Sequence, residues 1–315
     1  MLRKKITIHE SSLLVACNTR GGKEKIPDGL SNLIGTLSAG TEVLRNSVVE
    51  KVEYGTQGVK VDYRHNDEIQ SIFGDMCICT LPLGVLKDSI KNISGSPHFE
   101  PALPVNKRKA IEQLGFGTIN KVIGLWFNEK QMVHLVFGMI ANSIFVILFF
   151  DRSFWDHQPV FGNIGESGWS RGELYMFQAV PDRSILVGLL SGEAANLSED
   201  YEKRTIVIRA MNILIAVFGP SCPQKVPIDA VVTNWRTDPF ARGAVSYVPT
   251  EATGDLYDKL AEPVLVENEQ PRILFAGEHT IRNYPASLHG AFLSGVREAA
   301  RVADYFSGSP FTLTS

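Results

Sequence analysis

The sequence has 315 residues, 44% hydrophobic and 21% charged, which is enough chain for one large or two ordinary domains with a real core. Its 34 acidic and 31 basic residues leave a formal charge of −3, too mild to argue for nucleic acid, though compatible with a basic ligand. Four cysteines, Cys17, Cys77, Cys79 and Cys222, make no disulfide framework and point to a reducing, intracellular compartment; no four-ligand metal spacing is present.

In chain order, "MLRKKITIHESSLL" starts basic but lacks an apolar core and a small-residue cleavage site, so it does not read as a signal peptide. Residues 27–40 predict a short helix with Pro27 in its first turn, Leu30, Leu33, Ile34 and Leu37 on one face, and Gly40 closing it. Three strand-like runs follow, Val48 to Tyr54, Val59 to Tyr63 and Ile69 to Phe73, as a half-buried meander. "DMCICTLPLGVL" reads as a fully buried strand stopped at Pro82. Pro104 to Leu114 predicts a helix, and "INKVIGLWF", "GELYMFQAV", "SILVGLLSG" and "IDAVVTNW" predict strands. Asn196 with Glu199 forms a capping-box pattern before a helix carrying Val207, Met211, Leu214 and Phe218. Arg272 to Ala276 is an apolar strand, and His289 to Phe306 predicts a helix with Leu293, Val296, Ala300 and Ala303 inward.

One run stands apart. Met132 to Phe150 is 19 residues without a formal charge, long enough to span a bilayer and flanked by Lys130 and Arg152, though His134 and Asn142 interrupt it. A membrane helix inside a strand-rich domain would tear "INKVIGLWF" from its neighbours, so the run reads as an insertion over about 128–149, such as an unspliced intron would produce.

The stretch "FAGEHTIRNYPASLHGA", from Phe275 to Ala291, gathers polar groups where a strand hands over to a helix. Ligands of open α/β sheets bind at that place. A carboxylate there, Glu278, accepts hydrogen bonds from sugar-type hydroxyls, and helix-start amides near Leu288 favour negative charge. The bland alternative is a polar surface with Ser287 as a plain N-cap.

The longer run "LFAGEHTIRNYPASLHGAFLSGVREAARVADYF" resembles the C-terminal flavin motif of the flavin-dependent amine oxidases, and within them is most similar to the lysine-specific histone demethylases. "CTLPLGVLK" at 79–87, "FGTINKV" at 116–122, "SRGELYMF" at 170–177 and "WRTDPFARGAVSYV" at 235–248 extend the resemblance over residues 26 to 308. It implies a mixed α/β fold: a partial FAD-binding domain from 26–82 and 266–308, and a substrate-binding domain from 83–265. It implies FAD as cofactor, with Glu278 holding the ribityl chain, Ser287 and Leu288 at the flavin, and Val49 meeting the adenine through its backbone. Lys121 matches the active-site lysine that reaches the flavin through a water. Trp235, Val245 and Tyr247 fall on the substrate side, and His279 and His289 read as structural. The implied reaction is oxidation of an N-methyl-lysine by hydride transfer to the flavin, with peroxide and formaldehyde released. The implied substrate is a histone tail peptide or another amine, with corepressor-type partners and a nuclear location.

Departures from the family pattern matter. No G-x-G-x-x-G follows a strand near the N-terminus; "NTRGGKEK" has adjacent glycines without that context, so the opening dinucleotide fold is missing and the chain resembles the C-terminal half of such an enzyme. Where the family has a tyrosine in G-x-Y-S-Y, this chain has Val245, with Tyr247 two residues on. A polyamine or monoamine oxidase, or an inactive fragment, are the competing readings.

Overall fold

The computed structural model describes residues 6–7, 31–117, 144–155, 158–164, 171–180, 183–224 and 226–308. The chain divides into two compact units, one from Met1–Leu44 and Val122–Trp235, the other from Arg45–Lys121 and Arg236–Ser315. Residues 83–117 and 236–265 are grouped in the same unit as the flavin-motif segment.

The first unit is built on an antiparallel sheet of six strands among the described residues. They are β1 (Ile6–Thr7), β8 (Ile144–Phe149), β9 (Val160–Gly162), β10 (Met176–Ala179), β11 (Ile185–Leu190) and β12 (Asp229–Val232). β8 lies between β11 and β12, and all six of its residues pair with β11. This answers why Ile144–Phe149 carries no polar residue. Val146 and Leu148 are buried on one face, while Phe145 packs with Val160, Met176 and Leu189 on the other. A strand covered on both faces reads as a continuous apolar run. The end of the run expected to be an insertion, 144–149, is therefore a central strand; residues 128–143 lie outside the described residues, as does "INKVIGLWF".

Helix α5 (Lys203–Phe218) buries Ile206, Ala210, Met211, Ile213 and Leu214 in this unit's core. With the 3-10 turn that follows, through Ser221, it is long and apolar enough to cross a membrane by length and composition. Its periodic apolar face is that of a core helix. Aromatic rings fill the space beneath: Phe161 stacks on Phe177 at 5.3 Å, and Phe218 meets Phe161 and Phe154 edge-on. The expected capping box does not start this helix. Asn196 lies inside a separate short helix, α4 (Glu193–Ser198), and Glu202 is the N-cap residue of α5. Helix α1 (Ser31–Leu37) forms within the expected helix, with Leu33, Ile34 and Leu37 exposed.

The second unit holds the meander as β2 (Ser47–Gly55), β3 (Gly58–His65) and β4 (Glu68–Gly74). Asn66 and Asp67 both take positive φ at the β3–β4 turn, the backbone a two-residue hairpin requires. A second sheet joins β5 (Cys77–Cys79) in parallel to β15 (Gln270–Phe275), with β14 (Val264–Val266) on the far side of β15. The fully buried strand expected to stop at Pro82 is thus only three residues, with Ile78 exposed. Among the described residues it has a strand partner on one side only, and Pro82 is the N-cap residue of helix α2 (Leu83–Ile90). Helices α3 (Val105–Gln113) and α6 (Asp255–Ala261) close a core that includes Leu83, Leu86, Ile111, Leu114, Leu260 and Phe275.

Helix α7 (Leu288–Ser307) forms where expected but turns the other way. Leu293, Val296, Ala300 and Ala303 are exposed, and the buried positions are Gly290, Ser294 and Glu298. The reason is ionic. Glu298 is fully buried, paired with Arg297 at 2.6 Å and Arg301 at 3.0 Å, and those guanidiniums donate onward to the carbonyls of Phe275, Thr280 and Ala261. Backbone acceptors along β15 and α6, rather than an apolar stripe, select the inward face.

Candidate functional site

The site grows from the crossover between β15 and α7. Gly277 leaves the strand at φ 141°, where a side chain would overlap the His279 ring, and its N–H donates to Ser294 Oγ at 2.8 Å. Arg297 straps the same crossover from α7 through Phe275 and Thr280. Ser287 caps α7 by accepting from the Gly290 N–H at 3.1 Å, and donates to the Tyr284 carbonyl at 2.7 Å. Gly290 must be glycine here because a Cβ would overlap that carbonyl.

Glu278 is held between these anchors. Its Oε1 accepts the Ser246 N–H at 3.1 Å; its Oε2 accepts the Ser246 hydroxyl at 2.6 Å and the Ala286 N–H at 2.8 Å. Burial pushes the Glu278 carboxyl up, and the three donors pull it back toward the anion. Ser246 comes from β13 (Ser246–Tyr247), which pairs with β7 (Gly115–Phe116). The ladder continues through the Gly117 N–H to the Val245 carbonyl at 3.2 Å. Val245 and Tyr247, two apart on this extended run, share the face opposite Ser246. Both are half-buried, and Tyr247 lies against Gly115, where any Cβ would strike its ring.

Beneath the crossover lies a buried cation. Lys107 on α3 donates to the carbonyls of Lys259 and Leu260, each at 2.8 Å, and to that of Glu262, closing the C-terminus of α6; its Nζ sits 4.4 Å from the centre of the Phe275 ring. Burial lowers its ammonium to about 7, yet three acceptors match three ammonium donors and favour the charged form. His279 is buried, held neutral with its pKa lowered to about 4 by burial first and Lys107 second, and its Nε2 has no hydrogen-bond partner among the described residues.

Comparison with known proteins decides what this arrangement belongs to. A family model described as flavin containing amine oxidoreductase matches residues 6–303. The chain belongs to that family. It is 39% identical over 304 residues to the "Possible lysine-specific histone demethylase 1" of Drosophila melanogaster, covering 92% of this chain and 31% of the relative. It is 36% identical over 282 residues to "Lysine-specific histone demethylase 1 homolog 1" of Oryza sativa subsp. japonica, covering 88% and 29%. The chain thus spans about a third of the length of the curated relatives it matches. Among solved structures it resembles cyclohexylamine oxidase from Brevibacterium oxydans IH-35A, with TM-score 0.56, 16% identity and coverage of 82% of this chain and 48% of that one. A putrescine oxidase gives TM-score 0.60 at 16% identity, covering 85% and 50%. At that identity the likeness shows a shared mixed helix-and-sheet fold.

The family's cofactor is a flavin, FAD, and the residues present suit it. Among the described residues Oε1 of Glu278 takes one donor and keeps room for another, such as a ligand hydroxyl. Exposed Leu288 opens α7 beside it, where helix-start amides favour an anion. Of the residues singled out by sequence, Glu278, Ser287 and Leu288 gather on the crossover, and Val245 and Tyr247 flank the serine that holds Glu278. Val49 is in the same unit, on β2 opposite Tyr63, at the register shift before Lys51; such bulges re-aim a strand's backbone. Trp235 ends the first unit and is 42% exposed. Lys121 lies outside the described residues. Sequence reasoning missed Ser246, Ala286, Tyr257 and Lys107, whose partners are remote in the chain or backbone atoms.

Proposed function

We propose that this chain forms the flavin-gripping part of an FAD-dependent oxidase of the histone-demethylase kind, acting on methylated lysine in a histone tail. The observation that carries this reading is the Glu278 carboxyl group, fixed by three donors at the head of α7. The similarity to proteins named as lysine-specific histone demethylases supports the substrate class and, through it, a nuclear location.

In this reading Glu278 accepts a hydroxyl of the cofactor's sugar-like chain, and Val49 lies toward its adenine end. Ser287 and Leu288 present the first amides of α7 to the ring, where the helix field stabilises negative charge. Bound FAD supplies a two-electron acceptor for the substrate's N-methyl C–H bond. Tyr247 and Val245, two apart on one face of their strand, supply an apolar substrate side. Such a pocket lowers the amine's pKa by desolvation, and a neutral amine is the form that gives up hydride. Lys121 takes the catalytic role by its match to the family's active-site lysine, a cation that would steady developing negative charge.

The test is to purify the 315-residue chain and record its visible spectrum, then measure peroxide from a methyl-lysine peptide with a longer form carrying a dinucleotide-binding segment. Flavin absorbance in the first and peroxide in the second are expected. Lys121→Ala should keep the yellow colour and slow peroxide release. A colourless chain after incubation with FAD would overturn the reading. Turnover of small amines but not of the peptide would move the substrate to a polyamine or monoamine.

A further inference from the structure

The serine that holds Glu278 does more than fill an acceptor. Ser246 is buried, as is the Tyr257 side chain, and the two hydroxyl oxygens lie 3.2 Å apart. Ser246 has one hydroxyl proton, and its shorter contact, 2.6 Å, is to Glu278 Oε2. A carboxylate cannot donate, so that proton goes to Glu278 and the Tyr257 hydroxyl must donate to Ser246 Oγ. The result is a directed chain from α6 through β13 to the crossover. With the Ala286 N–H also on Oε2, both lone pairs of that oxygen are used; Oε1, which accepts only the Ser246 N–H among the described residues, keeps one.

We propose that Ser246, oriented by Tyr257, is a positioning residue that saturates Oε2 of Glu278 and so aims the remaining lone pair of Oε1 at a hydroxyl of the bound cofactor's polyol chain. This rests on the flavin reading above for the identity of the ligand. The relay itself stands on the three residues' own geometry. The ionisable group whose charge couples to Glu278 is Tyr257, pushed up to about 12 by burial and so neutral at working pH. From β13 and the Ala286 turn, Glu278 meets neutral donors, and neighbouring His279 is buried and neutral. Removing the Ser246 hydroxyl therefore takes away one of the few groups that oppose the upward pull of burial on the carboxyl.

The test uses the full chain with Ser246→Ala, Ser246→Thr and Tyr257→Phe, read in two ways. First, Glu278 is titrated without cofactor by carbon-13 NMR of labelled glutamate, its signal assigned with Glu278→Gln. Ser246→Ala should raise its midpoint, Tyr257→Phe should raise it less, and Ser246→Thr should restore it. Second, FAD affinity is followed by flavin fluorescence from pH 5 to 8. Ser246→Ala should weaken binding roughly tenfold or more at neutral pH, the scale of a lost bond to a charged group, and move the pH dependence upward. An unchanged midpoint in Ser246→Ala, with the fold intact by circular dichroism, overturns the relay whether or not FAD binds. A raised midpoint with no FAD binding by the parent chain overturns the flavin reading and leaves the relay standing. A raised midpoint with unaltered FAD affinity overturns the aiming role.

Discussion

The six-stranded sheet of the first unit and the strand-to-helix crossover of the second are built from opposite materials. The first buries Val146, Leu148, Phe161 and Phe177 against α5, with rings meeting rings. The second buries Lys107, Glu298, Arg272 and His279 around a short parallel pair, and spends its side chains on carbonyls. Apolar packing tolerates substitution if volume is kept. Buried charge does not, because removing one partner strands the other. The contrast teaches where function sits: a fold needs no ion pair to close a helix onto a sheet, but a site needs its carboxylate and amides held in one geometry.

The largest effects should separate the two kinds of core. Glu298→Ala removes the fully buried partner of two arginines and should destabilise the second unit by about 3 kcal/mol. Phe177→Ala should cost the first unit about 3–5 kcal/mol through a cavity. Hydrogen exchange during urea unfolding reads the units separately. Equal loss of protection in both units from either change would break the contrast.

Acid should act on the second unit. His279 is neutral when folded, with its pKa near 4, while an unfolded histidine titrates near 6.5. The unfolded chain thus binds the extra proton first. The stability this gives is fully present above about pH 6.5 and is lost as pH falls to 4, by roughly 3 kcal/mol in total. His279→Asn should flatten that part of the pH–stability curve, and an unaltered slope would count against a buried neutral histidine. The smallest effect is expected on the outer side of α7: Val296→Lys, at an exposed position, should change stability by under about 0.5 kcal/mol. A larger loss would mean that face is covered.

That last residue shows where reading the sequence stopped. Periodicity located α7 within a residue at each end, and placed the meander and α3 with comparable success. It chose the wrong face of α7 because it counts apolar residues, whereas Ser294 and Glu298 point inward to satisfy carbonyls and arginines. The continuous run ending in Ile144–Phe149 carried no period at all, so it read as an insertion rather than as a strand covered on both faces. At the site, Glu278 was legible from its place after a strand. Ser246 was not: it lies 32 residues away, between Val245 and Tyr247, and only the pairing of β13 with β7 brings it to the carboxylate. A lone serine in an apolar strand was the available signal.

The most direct measurement is a flavin titration of the chain against Glu278→Gln, followed by quenching of flavin fluorescence at neutral pH. Glutamine keeps the volume but turns one oxygen into an NH2 group among donors, so it both loses the charge and breaks the clamp. The account predicts saturable FAD binding by the parent chain and binding at least roughly tenfold weaker in the variant, with its fold retained. Equal affinity in the two proteins would contradict it.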